Sequence, residues 1–151
     1  MKIETKISEI THEDLVNLFS TAFYGSNHFA IDYNNEDYDG KPFAKDDDCF
    51  EDKLAKIVLN GGKIIVSDLY AEDSDEHYGE IEHTWNEEEE SMDYTITLKD
   101  IENGLAKAAS SPEPYCRKSF SNFAENDCID FDLNDADILM QIIVFGEVIY
   151  G

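Results

Sequence analysis

Residues 63–98 read KIIVSDLYAEDSDEHYGEIEHTWNEEEESMDYTITL, and this stretch decides the fold class. Lys63 to Tyr70 carries Ile64, Ile65 and Val66 in an unbroken β-branched run, the best strand signal in the chain. Met92, Tyr94, Ile96 and Leu98 alternate with Asp93, Thr95 and Thr97, the period of two expected of a strand with one buried and one wet face. A strand over 78–85 precedes it, joined through an acidic turn at Asn86 to Ser91. Together the three predict an antiparallel meander.

Working outward, Ile3, Thr5 and Ile7 alternate with polar residues and predict a strand over 2–8. Thr11 stands before His12, Glu13 and Asp14, an N-cap followed by acidic residues that suit a helix dipole. Leu15, Leu18, Phe19 and Ala22 then recur at helical spacing up to Gly25, so a helix is expected over 12–24. Ser26 to Asp48 is polar and aromatic, with a short strand at His28 to Tyr33 and the turn-rich NNEDYDGKP. Loops longer than about 12–15 residues tend to be functional or disordered, so 26–48 is expected to be a flexible or functional loop. Phe50 to Asn60 reads as a helix with Leu54, Ile57 and Val58 on one face, closed by Gly61-Gly62.

Beyond residue 98, Lys99 to Ala109 predicts a helix with Ile101, Leu105 and Ala108 inward, broken by Ser110 to Pro114. A short helix is expected at Tyr115 to Ala124 and a stronger one at Asn134 to Phe145. The latter is apolar on most sides, so it is expected to run through the middle of the core. The fold class expected is α+β, an antiparallel sheet of about four strands packed against three to five helices, in a single domain over 1–151.

Charge is the outlying property. Thirty-five Asp and Glu against 11 Lys and Arg leave a net charge of −24 on 151 residues, which opposes folding by self-repulsion. Binding to a phosphate backbone or an anionic membrane is disfavoured, because both need Lys and Arg. The 42% hydrophobic content suffices for a core. Cys49, Cys116 and Cys128 are odd in number and lack CxxC spacing, so reduced thiols are expected. MKIETKISEI has no apolar leader region and no run approaches a membrane span, so a cytoplasmic protein is expected.

The distribution of that charge is the informative part. No Lys or Arg lies between Lys63 and Lys99, while the interval holds Asp68, Glu72, Asp73, Asp75, Glu76, Glu80, Glu82, Glu87, Glu88, Glu89, Glu90 and Asp93. These twelve carboxylates equal half of the net charge and are the candidate partner-binding residues. Side chains two apart on a strand share a face at about 6.6–6.8 Å, so Glu80 and Glu82 would form part of a carboxylate row able to pair with the Lys and Arg of a nucleic-acid groove. A second basic-free stretch follows Lys118, with Glu125, Asp127, Asp130, Asp132, Asp135, Asp137 and Glu147.

Catalytic and cofactor signals do not emerge. Nucleophile-elbow, Walker, GxGxxG and HExxH motifs are missing, and Gly61-Gly62 lacks the Lys and Ser or Thr of a phosphate loop. Asp46 to Asp48, and Asp127 with Asp130 and Asp132, lack the spacing of a calcium loop. His12, His28, His77 and His83 are dispersed, with His12 expected beside the first helix cap. Cys116 adjoins Arg117 and Lys118, which would lower a thiol pKa if it were exposed. Tyr78, Trp85 and Tyr94 suit either cross-strand packing or stacking on a partner. The expectation is a protein without catalytic residues, metal or cofactor.

Two stretches carry a resemblance: Asp14 to Ala30, DLVNLFSTAFYGSNHFA, and Asp135 to Gly151, DADILMQIIVFGEVIYG. Together they resemble a family of small acidic proteins of phages, prophages and conjugative elements. The family's helix ending in a Gly-Ser-Asn-like turn corresponds to Gly25, Ser26 and Asn27, with later aromatics at Phe29 and Tyr33; an aromatic pair expected after the turn is replaced by His28 and Phe29. Its C-terminal pattern corresponds to Asp135, Asp137, Gln141, Phe145, Gly146, Glu147, Tyr150 and Gly151. The resemblance implies a mobile-element origin. Joined to the charge distribution, it leads to the expectation of an anti-defence protein, anti-CRISPR or anti-restriction, that mimics nucleic acid and blocks a basic surface of a host nuclease or CRISPR effector. The alternative is a structural or regulatory mobile-element protein that binds a protein partner through the 26–48 loop.

Overall fold

The computed structural model describes residues 10–25, 28–72, 81–125 and 130–151. The strand expected at 2–8 lies outside them. Three helices begin with one device, a side-chain acceptor at the N-cap answered by an aspartate three residues on. In α1 (His12–Gly25), Asp14 N donates to Thr11 Oγ1 (3.1 Å) and Thr11 N donates to Asp14 Oδ2 (3.0 Å). In α3 (Leu98–Ala109) the same exchange joins Thr97 and Asp100, and in α5 (Leu133–Phe145) it joins Asp132 and Asp135. In α2 (Phe50–Leu59) Asp52 Oδ2 accepts from Cys49 N at 3.3 Å. Helix α4 (Pro114–Ala124) instead starts with proline in its first turn, where the missing N–H is no loss.

Among the described residues these five helices accompany one four-stranded antiparallel sheet, an α+β fold as expected. Its strands are β1 (Phe29–Asp32), β2 (Ile64–Asp68), β3 (His83–Asn86) and β4 (Ser91–Ile96), in the order β1-β2-β4-β3. The expected meander is therefore corrected. Strand β2 pairs with β4, Ile64 opposite Ile96 and Asp68 opposite Met92, while β3 folds back as an outer hairpin arm with Trp85 opposite Met92. The reason is burial: β4 buries Met92, Tyr94 and Ile96 and needs neighbours on both edges, whereas β3 has no fully buried residue and suits an edge. Its expected beginning at residue 78 lies outside the described residues.

Helix α5 is the centre of the molecule. From Asp135 to Phe145 every residue except Asp137 is buried, and the helix packs against α1, α3 and α4. Approach to α3 is close enough that a Cβ at Gly104 would lie 2.6 Å from Ile143 Cα. Gly146 ends α5 in the left-handed region (φ 83°), and its N–H closes on Ile142 O at 2.9 Å.

The Gly104→Ala variant is expected to lose about 3 kcal/mol of stability, the overpacking range, because the obstructing atom is backbone. Urea denaturation followed by circular dichroism checks this; a midpoint unchanged from the parent would contradict the described α3–α5 contact.

Candidate functional site: the acidic end of the sheet

The register places several features at one end of the sheet. Phe29, Asp68, Met92 and Trp85 lie side by side across β1, β2, β4 and β3. Just beyond them come His28, the Leu69–Glu72 segment and the Glu87–Glu90 turn that joins β3 to β4. Asn86 opposes Ser91, so the turn has four glutamates between paired residues, all exposed. Glu89 N donates to Asn86 Oδ1 at 3.1 Å, and Glu90 adopts φ 50°, a conformation that glycine and asparagine tolerate better than glutamate.

The twelve candidate carboxylates divide by burial. Asp73, Asp75, Glu76 and Glu80 lie outside the described residues. Asp68 leaves the surface set, because it is 2% exposed and accepts from Tyr150 Oη (2.7 Å) and Tyr70 N (3.0 Å). Asp93 is half-buried and serves the hairpin, accepting from Ser91 Oγ (2.9 Å) and Asn86 Nδ2 (3.1 Å). Glu72, Glu82, Glu87, Glu88, Glu89 and Glu90 are exposed. Glu82 sits 4.0 Å from Lys63 with both side chains mostly in water, a pairing worth well under about 1 kcal/mol.

In the second basic-free stretch Glu125, Asp130, Asp132 and Glu147 are exposed, whereas Asp135 and Asp137 turn inward. Asp135 is 7% exposed and accepts from Ser119 Oγ (2.8 Å) and Asn122 Nδ2 (3.0 Å) in addition to its cap bond. Asp137 Oδ1 pairs with His28 Nδ1 at 2.8 Å and Oδ2 accepts from Gln141 Nε2 at 2.8 Å. Gln141 Oε1 in turn accepts from the backbone N–H groups of Ile149 and Tyr150, both at 2.8 Å. The Tyr150 ring stacks on His28 at 4.9 Å, with Tyr70 set edge-on to His28 at 5.0 Å. A cavity of about 310 Å³ opens over this network, lined by His28, Tyr115, Leu133, Asp137, Gln141 and Tyr150. Dispersed in sequence, these residues carried no expectation as a site. The signal was present in the two resembling stretches, which the fold brings into contact here.

The 26–48 segment, in the part described, is pinned. Tyr38 is buried, and its hydroxyl donates to Asp48, whose carboxylate also accepts from Lys56 Nζ at 2.7 Å. The hydrogen bonds from Lys56 and then Tyr38 hold Asp48 at a pKa of about 2, against an ordinary 3.8. At Cys49 the adjoining carboxylates act in the opposite sense: the thiol lies 3.0 Å from Asp52 Oδ2 and its pKa is raised, chiefly by that hydrogen bond, which suppresses the nucleophilic thiolate. Cys116 is buried, and Cys128 lies outside the described residues. His12 reaches beyond its own cap to Asp52 Oδ1 at 2.8 Å and ties α1 to α2. His77 and Tyr78 lie outside the described residues. His83 Nδ1 bonds Ile81 O at 2.9 Å, while Tyr94 is buried in the core, where its ring meets Phe145 edge-on. Trp85 packs partly against the core across from Met92. Among the described residues no group of three or more His, Cys, Asp and Glu is arranged to hold a metal ion, and no helix is long and apolar enough to cross a membrane.

Comparison with protein-family models, with curated proteins and with solved structures returned no match.

Two variants test this geometry. Gln141→Leu removes the acceptor of two backbone N–H groups and a donor to Asp137 and to Tyr150 O, so it should cost about 2–3 kcal/mol and speed amide exchange at Ile149 and Tyr150; retained protection there would contradict the network. For Asp48 the folded pKa is depressed, so its contribution to stability is complete above 3.8 and is lost as pH falls through about 2. Asp48→Asn should therefore be less stable than the parent at neutral pH and lose less stability across that window, read from urea midpoints against pH.

Proposed function

We propose that this protein is a non-enzymatic, cytoplasmic binding protein that occupies a basic nucleic-acid-binding surface of a host defence protein, a nuclease or CRISPR effector, in place of DNA or RNA. The observation that carries this reading is the exposed set Glu87 to Glu90 on the turn of one edge hairpin, with Glu72 beyond the same end of the sheet and the exposed Glu82 at the far end of β3. Their charges are neither buried nor spent on helix caps, in contrast to Asp14, Asp68, Asp100 and Asp135. A fixed hairpin presents carboxylates as acceptors to the Lys and Arg that otherwise engage phosphates. The net charge of −24 supplies long-range attraction that speeds encounter and fades as salt screens it. The resemblance to phage and conjugative-element proteins supports a target in host defence.

Replacing Glu82, Glu87, Glu88, Glu89 and Glu90 together by Lys should abolish inhibition of the target nuclease in a DNA-cleavage assay. The circular dichroism spectrum should stay that of the parent, since all five side chains are exposed. Full inhibition by the folded variant would sink the reading.

A second reading, a regulatory protein that binds its partner through the 26–48 segment, is favoured by one observation: Tyr38, Asp48 and Lys56 fix that segment as an ordered surface. It requires partner binding to be lost on shortening Asp39 to Asp47 and kept on reversing the hairpin charges.

A further inference from the structure

The cavity over His28 and Asp137 stands apart from the hairpin, yet at the same end of the sheet. From β1 to β3 is three strand spacings of about 4.8 Å, so the two lie on the order of 14 Å apart across the sheet. Its volume, about 310 Å³, is at the small end of the range for ligand pockets, about 300–1,000 Å³. Half-exposed apolar side chains gather around it: Tyr115 is 47% and Leu133 56% exposed, and Tyr70, in edge contact with Tyr150, is 57% exposed. These are among the few large apolar residues the described surface shows to water.

The floor is polar and negative. Asp137 faces the cavity beside Gln141 and His28, and among the described residues no lysine or arginine lines it. An anion drawn to the start of α5 would meet Asp132, Asp135 and Asp137 in the cap and first turns, which outweigh the helix dipole. An aromatic and aliphatic rim over a carboxylate floor suits a flat, weakly hydrated cation, because a guanidinium stacks on rings and donates to a carboxylate while the arginine methylenes pack on leucine. A lysine ammonium is more strongly hydrated and gains less from such a rim.

We propose that this cavity receives an arginine side chain of the basic partner, a specific anchor beside the diffuse attraction of the hairpin. The proposal rests on the reading given under Proposed function for the source of that arginine, while binding of the guanidinium itself is measurable without any partner. Nuclear magnetic resonance titration of the protein with N-acetyl-arginine amide should give saturable shifts at the side-chain amides of Asn134 and Gln141, with millimolar affinity. The neutral isostere N-acetyl-citrulline amide should bind at least about tenfold more weakly, the loss expected when a charge-assisted bond becomes neutral. Tyr115→Ala and Leu133→Ala, both on the half-exposed rim, should weaken arginine binding several-fold in a protein that remains folded.

Equal binding of the citrulline compound, or non-saturating arginine shifts centred on Glu87 to Glu90, would overturn the proposal. So would arginine affinity unchanged in both rim variants. The outcomes separate the two ideas. Guanidinium binding at Asn134 and Gln141 with no effect of hairpin reversal on inhibition leaves the anchor and removes the mimicry. Loss of inhibition on hairpin reversal with no guanidinium binding does the opposite.

Discussion

Burial of α5 on nearly all sides is the constraint on which the rest of the structure depends. A helix in the middle of a core can bury Ile138, Leu139, Met140, Ile142 and Ile143 without penalty, but each polar group it carries must be answered inside the protein. Asp135 is answered by Ser119 and Asn122 of α4, which fixes α4 beside it. Gln141 draws the 149–150 backbone back along the helix through two N–H bonds. Asp137 reaches to His28 at the entrance of β1, and Tyr150 reaches on to Asp68 at the end of β2. Three polar residues on one helix thus join helix, sheet and tail into one network, and breaking a member leaves buried groups unpaired.

The same accounting explains how the chain tolerates its charge. Many carboxylates are occupied where negative charge is favourable: Asp14, Asp52, Asp100 and Asp135 at helix starts, Asp48 against Lys56 and Tyr38, Asp68 under a tyrosine hydroxyl. Helix caps and internal hydrogen bonds turn part of the acidic composition into structure. Among the carboxylates outside that accounting, Glu72 and the Glu87–Glu90 turn stand together at the Asp68 end of the sheet. A run of four glutamates closing a hairpin, one of them at φ 50°, contributes repulsion and strain where asparagine and glycine would give neither. On the functional account given above, those four residues are present for a partner.

Local rules were legible in the sequence and long-range pairing was not. Thr11 marked the start of α1, Gly25 and Gly146 stood at helix ends, and the Met92-Tyr94-Ile96 alternation placed β4, because each depends on neighbours within a few residues. The strand order escaped, since a meander and the observed β2-β4-β3 arrangement share one local pattern and differ only in which edge β4 offers to β2. Charge counted along the chain also overstated the surface: Asp68, Asp135 and Asp137 read as field-forming acids and are inward. The His28, Asp137, Gln141 and Tyr150 cluster was invisible to spacing, with His28 and Asp137 109 positions apart in the sequence, although every member sits in a stretch that drew notice by resemblance.

Competition with DNA tests the central claim most directly. The protein, immobilised and exposed to host lysate at low salt, should retain nucleic-acid-binding proteins that duplex DNA displaces and that come off as salt rises, because protein and DNA contend for one basic surface. Partners that stay bound in excess DNA and at high salt would contradict the account, and would move attention from the acidic end of the sheet to the rest of the molecule.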